Sequence, residues 1–189
     1  MLRFHLLIGA QRISQMARMV ATDLDLDHQS ISILDIKGRR KRPRVHVVPL
    51  IDQSAADLAE MQGEKLGLYL LSVTDGVDPV TYDVFRGALD RVVDAMAAAG
   101  ELEGPRFTPG DLRRTVETRL AAAGYSEEVR GHVQSHGLSG VQKRHYNKYE
   151  YDAEKRGAIA ALYELLAGQG AAITLLRARG EAIPAQNNY

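Results

Sequence analysis

The 189-residue chain contains no cysteine. That excludes a disulfide framework and thiolate-ligated zinc or iron–sulfur sites, and it fits a reducing compartment. No apolar run approaches the ~18 residues that a membrane span requires, so no membrane association is expected. The opening segment MLRFHLLIGAQR has too short an apolar stretch and too indistinct a cleavage site for a signal peptide. Internal repeats and low-complexity stretches are missing as well. An excess charge of either sign is also lacking: Lys plus Arg is 24 and Asp plus Glu is 24. Net charge therefore gives no hint of a nucleic-acid partner, and only the distribution of charge can.

What is present is ordinary for a folded domain: 45% hydrophobic and 25% charged residues. The length predicts one domain at ~150 residues per domain, large enough for an unstapled core. The charge distribution is uneven. Residues 37–44 (KGRRKRPR) hold the cations Lys37, Arg39, Arg40, Lys41, Arg42 and Arg44 with no acid among them. Acids gather elsewhere, at Asp23, Asp25 and Asp27 and around Asp75, Asp78, Asp83 and Asp90. A neutral average can hide one strongly positive face.

Along the chain, Leu6 to Val20 has helical spacing, with Leu6, Leu7, Met16, Met19 and Val20 as core candidates. The Asp-rich TDLDLD breaks that pattern. Two β-branched stretches follow, one with Ile31, Ile33 and Ile36 and one with Val45, Val47 and Val48, and they read as strand, long basic hairpin loop, strand. Pro49 ends the second strand, and Asp52 or Ser54 can cap a helix running to about Met61. GLYLLSV (67–73) is too short to place as strand or buried segment.

Residues 81–99 put Val84, Phe85, Leu89, Val92, Val93 and Met96 on one helical face. Thr108 and Pro109 start a helix that stops at Gly124, and Ser126 opens another. A short polar helix after Gly140 and a long helix from Asp152 to Ala167 complete the reading. Gly168 and Gly170 form a hinge before ITLLRAR and a frayed tail. The expected class is α+β and mainly α, with a small antiparallel sheet near the start.

Four features carry chemical potential: Arg12 in GAQRISQM, the basic hairpin, Asp111-Leu-Arg113-Arg114-Thr115, and His136 followed by Tyr146 in SHGLSGVQKRHY. Each alone has a plain structural explanation, such as a solvated arginine, a soluble turn, a satisfied histidine or a core tyrosine. Their order along the chain is more specific. GAQR, a lysine-bearing hairpin ending in HVVPL, LRRT, a histidine and HYNKYEY resemble the catalytic half of the tyrosine recombinases, the phage integrase family. The resemblance covers about residues 2–166.

That resemblance implies a helical catalytic domain with a small antiparallel sheet, and DNA cleavage and rejoining through a 3′-phosphotyrosyl link, without metal or other cofactor. It casts Tyr146 as nucleophile. Arg12 and Arg113 become a clamp on the scissile phosphate, which suits their fixed, fork-shaped charge. His136 becomes a hydrogen-bond partner of that phosphate. Lys37 is the general acid for the leaving 5′-oxygen, with Lys41 as the alternative. Arg39, Arg40, Lys41, Arg42, Arg44 and Arg114 are assigned to DNA contact. Tyr125, Tyr149 and Tyr151 compete for the nucleophile's role, the last two having the plainer use of capping and packing the helix that follows.

The implied partner is double-stranded DNA, with a tetramer formed on it by the full-length protein. The implied setting is the cytoplasm of a bacterium, acting on its chromosome in integration or excision.

Three departures qualify the likeness. The family's His-x-x-Arg motif has Gly110 in place of histidine, and Gln15 stands where a glutamate is common. The family's amino-terminal DNA-binding domain is not found before Arg12, so the reading divides the chain into a catalytic domain over 1–167 and a tail over 168–189. The tail is expected to dock on its own or a neighbouring subunit. Three rivals stand beside the recombinase reading: a degenerate relative that binds DNA without cutting it, a type IB topoisomerase-like enzyme, and a helical scaffold.

Overall fold

A computed structural model of the chain describes residues 1–35, 44–63, 67–136 and 150–168. Among them, seven α-helices surround a three-stranded antiparallel sheet, as the sequence predicts. The helices are α1 (Leu2–Leu7), α2 (Ile13–Met16), α3 (Asp52–Gln62), α4 (Tyr82–Ala98), α5 (Pro109–Ala122), α6 (Glu127–Gln134) and α7 (Asp152–Leu166). The strands are β1 (Leu24–Asp25), β2 (Ser30–Asp35) and β3 (Arg44–Pro49), in that order across the sheet. No helix among the described residues is long and apolar enough to cross a membrane.

The opening segment departs from the expected continuous helical pattern. It forms two short helices separated by a turn at Ile8–Arg12, because Gly9 (φ 81°) and Ala10 (φ 50°) both lie in the left-handed region. Glycine is required at position 9 on two counts. Its backbone sign favours glycine, and a Cβ there would lie 2.6 Å from Val133 Cγ1. Leu7, Met16 and Met19 are buried as expected. Leu6 and Val20 are only half-buried, Val20 forming an isolated bridge with Tyr69.

The Asp-rich segment that reads as a break supplies a 3-10 turn (Ala21–Asp23) and the edge strand β1. In the β2–β3 ladder Ile31 faces Val48, Ile33 faces His46 and Asp35 faces Arg44. Strand alternation turns that set inward. Leu34 and Val45, also paired, stay exposed on the other face. The valines therefore mark the strand but only Val48 lies on its buried side, together with His46, which is 3% exposed.

Helix α4 buries a narrower stripe than its pattern suggests. Phe85, Leu89 and Val93 are inside, whereas Val84 and Val92 are exposed and Met96 is half-buried. Residues one turn apart share the inner face, and the flanking valines fall just beyond it. Within 67–73, Leu70 and Leu71 are buried, and Leu68 and Val73 are exposed.

The starts of α5 and α6 follow their capping signals. Thr108 Oγ1 accepts from Asp111 N, while Asp111 Oδ2 accepts from Thr108 N at 2.8 Å. Ser126 Oγ accepts from Val129 N at 3.2 Å.

Two apolar clusters result. One gathers Phe4, Ile8, Met16, Ile31, Ile33, Val48 and Phe85. The other gathers Ala10, Val116, Leu120, Val129, Val133 and Leu162. Helix α7 serves both, giving Ile159 to the first and Ala158 and Leu162 to the second. Polar bonds fix it as well. Lys155 Nζ donates to Val47 O at 2.8 Å, and Arg156 Nη1 donates to Leu50 O at 2.7 Å. The Ile8–Arg12 turn lies at the junction of the two clusters, with Ile8 in one and Ala10 in the other.

Candidate active site

The Ile8–Arg12 turn is stitched to α5 and to the end of α6 by buried amides and one arginine. Gln11 Nε2 donates to Ile8 O at 2.6 Å and to Val133 O at 2.7 Å. Gln134 Nε2 donates to Gly9 O and to Arg113 O, each at 3.1 Å. Both glutamines are 1% exposed, so these bonds replace ones that water cannot supply. The Arg113 guanidinium donates from Nη1 to Ala10 O at 2.8 Å and from Nη2 to Gln134 O.

Arg12 caps α2, its carbonyl accepting from Gln15 N and Met16 N at 2.9 Å. Its Nη1 is shut off from solvent and has no hydrogen-bond partner among the described residues. The charges of Arg12 and Arg113 act on each other. Burial, and then the charge of Arg12, push Arg113 down to about 10, against the attraction of Glu117 and Asp35. The guanidinium stays positive at neutral pH even so.

His136 follows Ser135, whose left-handed conformation (φ 51°, ψ 49°) ends α6. Its ring Nε2 lies 3.2 Å from Glu117 Oε2 and 3.1 Å from Gln134 Oε1. Glu117 also accepts from Arg130 Nε at 2.8 Å. Gln134 thus holds Arg113 through its backbone and His136 through its side chain. Ser135 Oγ donates to Asp35 Oδ2 at 3.0 Å, and Gln15 Nε2 donates to Asp35 Oδ1, tying the end of β2 to the same place.

Of the residues singled out in the sequence, the fold brings Arg12, Arg113 and His136 together around the end of α6. Arg44 stands across the ladder from Asp35, half-buried. Arg114 stays apart, exposed and paired with Asp111. Gly110 is exposed in the first turn of α5. A Cβ there would meet Arg114 Nη1 and Thr108 Oγ1 at 3.6 Å, an ordinary contact, so a side chain fits. Lys37, Arg39, Arg40, Lys41, Arg42, Tyr146 and Tyr149 lie outside the described residues, as does the tail beyond Gly168. Tyr151 caps α7 in a left-handed conformation (φ 57°), its ring 4.3 Å from that of His132. Tyr125 is half-buried, its hydroxyl near Gly157.

Sequence reasoning passed over Gln11, Asp35, Gln134 and Ser135. Isolated buried polar residues have no periodicity to reveal them; only Gln11, inside the GAQR string, had a neighbour that drew notice. It also passed over two buried histidines. His5 Nε2 donates to Gln11 O at 2.8 Å, and its ring packs edge-on against Phe85. Burial lowers His5 to about 4. His46 Nε2 donates to Val133 O at 3.2 Å, and burial, with Lys155 and Arg44 adding to it, lowers it to about 3. Both rings are neutral supports of the turn and of α6.

No group of three or more His, Asp or Glu among the described residues is placed to hold a metal ion.

The chain is similar to solved recombinase structures, at identities that speak to the fold alone. The Tn1549 transposon integrase in complex with circular intermediate DNA superposes with a TM-score of 0.58 at 21% identity, over 77% of this chain and 52% of that one. A variant of the same integrase in complex with transposon right end DNA gives 0.59 at 21% identity, over 87% and 58%. XerA recombinase gives 0.52 at 19% identity, over 86% and 54%. The chain therefore spans about half the length of the solved structures it matches. No curated protein gives a significant match. The family model described as "Phage integrase family" matches residues 2–148, most of the chain. By that match, and with the fold of the tyrosine recombinases behind it, the chain belongs to the phage integrase family.

Proposed function

We propose that this chain is the catalytic domain of a tyrosine recombinase that cleaves and rejoins double-stranded DNA at specific sites. One observation carries the reading. Two arginines from separate segments, Arg12 and Arg113, lie near enough for their charges to interact, Arg113 and His136 share Gln134 as a partner, and Arg12 keeps a buried N–H without an acceptor among the described residues. Buried donors are almost always paired, so a guanidinium N–H in this state suits an anionic oxygen supplied by a ligand.

In the proposed reaction the Tyr146 hydroxyl releases its proton to water as its oxygen attacks the scissile phosphorus. The P–O5′ bond breaks, the 3′-phosphate becomes esterified to the tyrosine, and the departing 5′-oxygen takes a proton from Lys37, or from Lys41 as the alternative. Arg12 and Arg113 hold the non-bridging oxygens, whose charge grows in the transition state, and His136 donates a further hydrogen bond. Rejoining is the reverse, with a 5′-hydroxyl as nucleophile. The basic hairpin residues Arg39, Arg40, Lys41, Arg42 and Arg44, with Arg114, contact the DNA backbone. The working unit is a tetramer on DNA, and no cofactor takes part.

A nicked suicide substrate tests this. Active protein becomes covalently trapped on the DNA, and Tyr146→Phe abolishes trapping. Gly110 favours a second reading, a relative that binds the same DNA without cutting it, because the family's histidine and its proton-transfer capacity are missing there. Sequence-specific binding with no trapped product would decide for that reading.

A further inference from the structure

Asp35 is the last residue of β2, on the inward side of the ladder and 4% exposed. Its carboxylate accepts from two neutral side chains, Gln15 Nε2 on one oxygen and Ser135 Oγ on the other. A buried carboxylate is costly without opposite charge nearby. Arg44 faces it across the ladder, and the two donors tie it to the surroundings of Arg12 and Arg113 as well. Gln15 lies one turn along α2 from Arg12, which caps the helix. Ser135 follows Gln134, whose carbonyl holds Arg113. Asp35 thus touches the helix that starts at Arg12 and the residue next to the carbonyl that accepts from Arg113.

Bringing two guanidiniums together without an anion is unfavourable. The charge of Arg12 works against that of Arg113, and the charge of Asp35 works for it. We propose that Asp35 is a positioning residue, a fixed internal counter-charge that holds Arg12 and Arg113 convergent before a phosphate arrives. The proposal rests on the recombinase reading and adds to it the group that preorganises the clamp.

The test exploits the hydrogen bond between Gln15 and Asp35. Asp35→Asn keeps both bonding partners and removes the charge. Gln15→Glu places a second carboxylate beside the first. The double variant Asp35→Asn/Gln15→Glu returns one carboxylate and one amide to the pair with their positions exchanged. Single-turnover trapping on the nicked substrate is measured at saturating DNA, alongside DNA affinity and melting temperature. Asp35→Asn is expected to lower the trapping rate by about tenfold or more with little change in affinity, as for a group that orients transition-state donors. The exchanged pair is expected to regain most of that loss.

A wild-type rate in Asp35→Asn, or an exchanged pair no faster than Asp35→Asn, overturns the proposal. If Asp35→Asn does not fold, Ser135→Ala removes a single donor to the same carboxylate; slower trapping then supports the proposal and an unchanged rate overturns it. A second readout separates this inference from the recombinase reading. Exchange of the Arg12 and Arg113 side-chain N–H protons, followed by NMR, is expected to quicken in Asp35→Asn and slow again in the exchanged pair. If that pattern holds while wild-type protein traps no DNA, the reaction is wrong and the positioning stands. If wild-type protein traps DNA and exchange is the same in all variants, the positioning is wrong and the reaction stands.

Discussion

Arg113 Nη1 meets the carbonyl of Ala10 at 2.8 Å. Through that bond a helix in the middle of the chain fixes the turn that presents Arg12, and the two cations of the proposed clamp share one support. Ala10 can offer its carbonyl there because it adopts a left-handed conformation directly after Gly9.

Gly9→Ala should therefore strain both partners of the turn. The new Cβ would press on Val133 and the backbone sign would disfavour it. A loss of about 1–3 kcal/mol in stability is expected, read by urea unfolding. Val133→Ala in the same chain should relieve the steric share and leave the backbone share.

Arg113→Lys retains charge but loses the fork that reaches Ala10 O and Gln134 O together. Trapping on a nicked substrate is expected to fall by about 100-fold or more, and DNA affinity far less. A trapping rate within a few-fold of wild type would remove the bidentate role from the account.

Stability should depend on pH through His5 and His46. Both have folded-state values lowered by burial, to about 4 and about 3. The unfolded chain binds protons near the usual 6.5 and the folded chain does not. Their contribution is thus complete above pH 6.5 and is lost as pH falls below it, toward 4 for His5 and toward 3 for His46. With two groups titrating, the slope reaches at most about 3 kcal/mol per pH unit. Urea midpoints between pH 7.5 and 4.5 would show this, and His46→Gln should make the dependence shallower.

Gly110→His tests the main departure from the family's motif. Ordinary contacts at that Cβ and the general cost of glycine in a helix predict unchanged or slightly higher stability, by up to about 1 kcal/mol. Trapping should rise, because the imidazole adds a donor beside Arg113. A fall in melting temperature would show the position to be closed to side chains.

Much of this architecture was legible from local rules. Thr108 with Pro109, Ser126, and the glycine after Ala123 carry the capping chemistry that bounds α5 and α6. The alternation in β2 and β3 declares a hairpin whichever face is buried. The division of the first helix was not legible, since the left-handed Gly9–Ala10 turn is held by Gln134 at Gly9 O and Arg113 at Ala10 O, both from far along the chain. The true face of α4 was hidden because Val84 and Val92 are as apolar as the residues that do pack. In the site, the order of charged residues pointed to Arg12, Arg113 and His136. The amides and the carboxylate that hold them are set by tertiary packing, which leaves no local signature in the chain.

The central claim is that Arg12 and Arg113 act together on one scissile phosphate while Tyr146 accepts it. The most direct measurement is peptide mapping of the covalent product formed on a nicked substrate by wild type, Arg12→Ala and Arg113→Ala, with DNA binding followed in parallel. The account predicts an adduct on the peptide bearing Tyr146 in wild type and its loss in both variants, with DNA still bound. An adduct on Tyr125, Tyr149 or Tyr151, or undiminished trapping in either arginine variant, would contradict it.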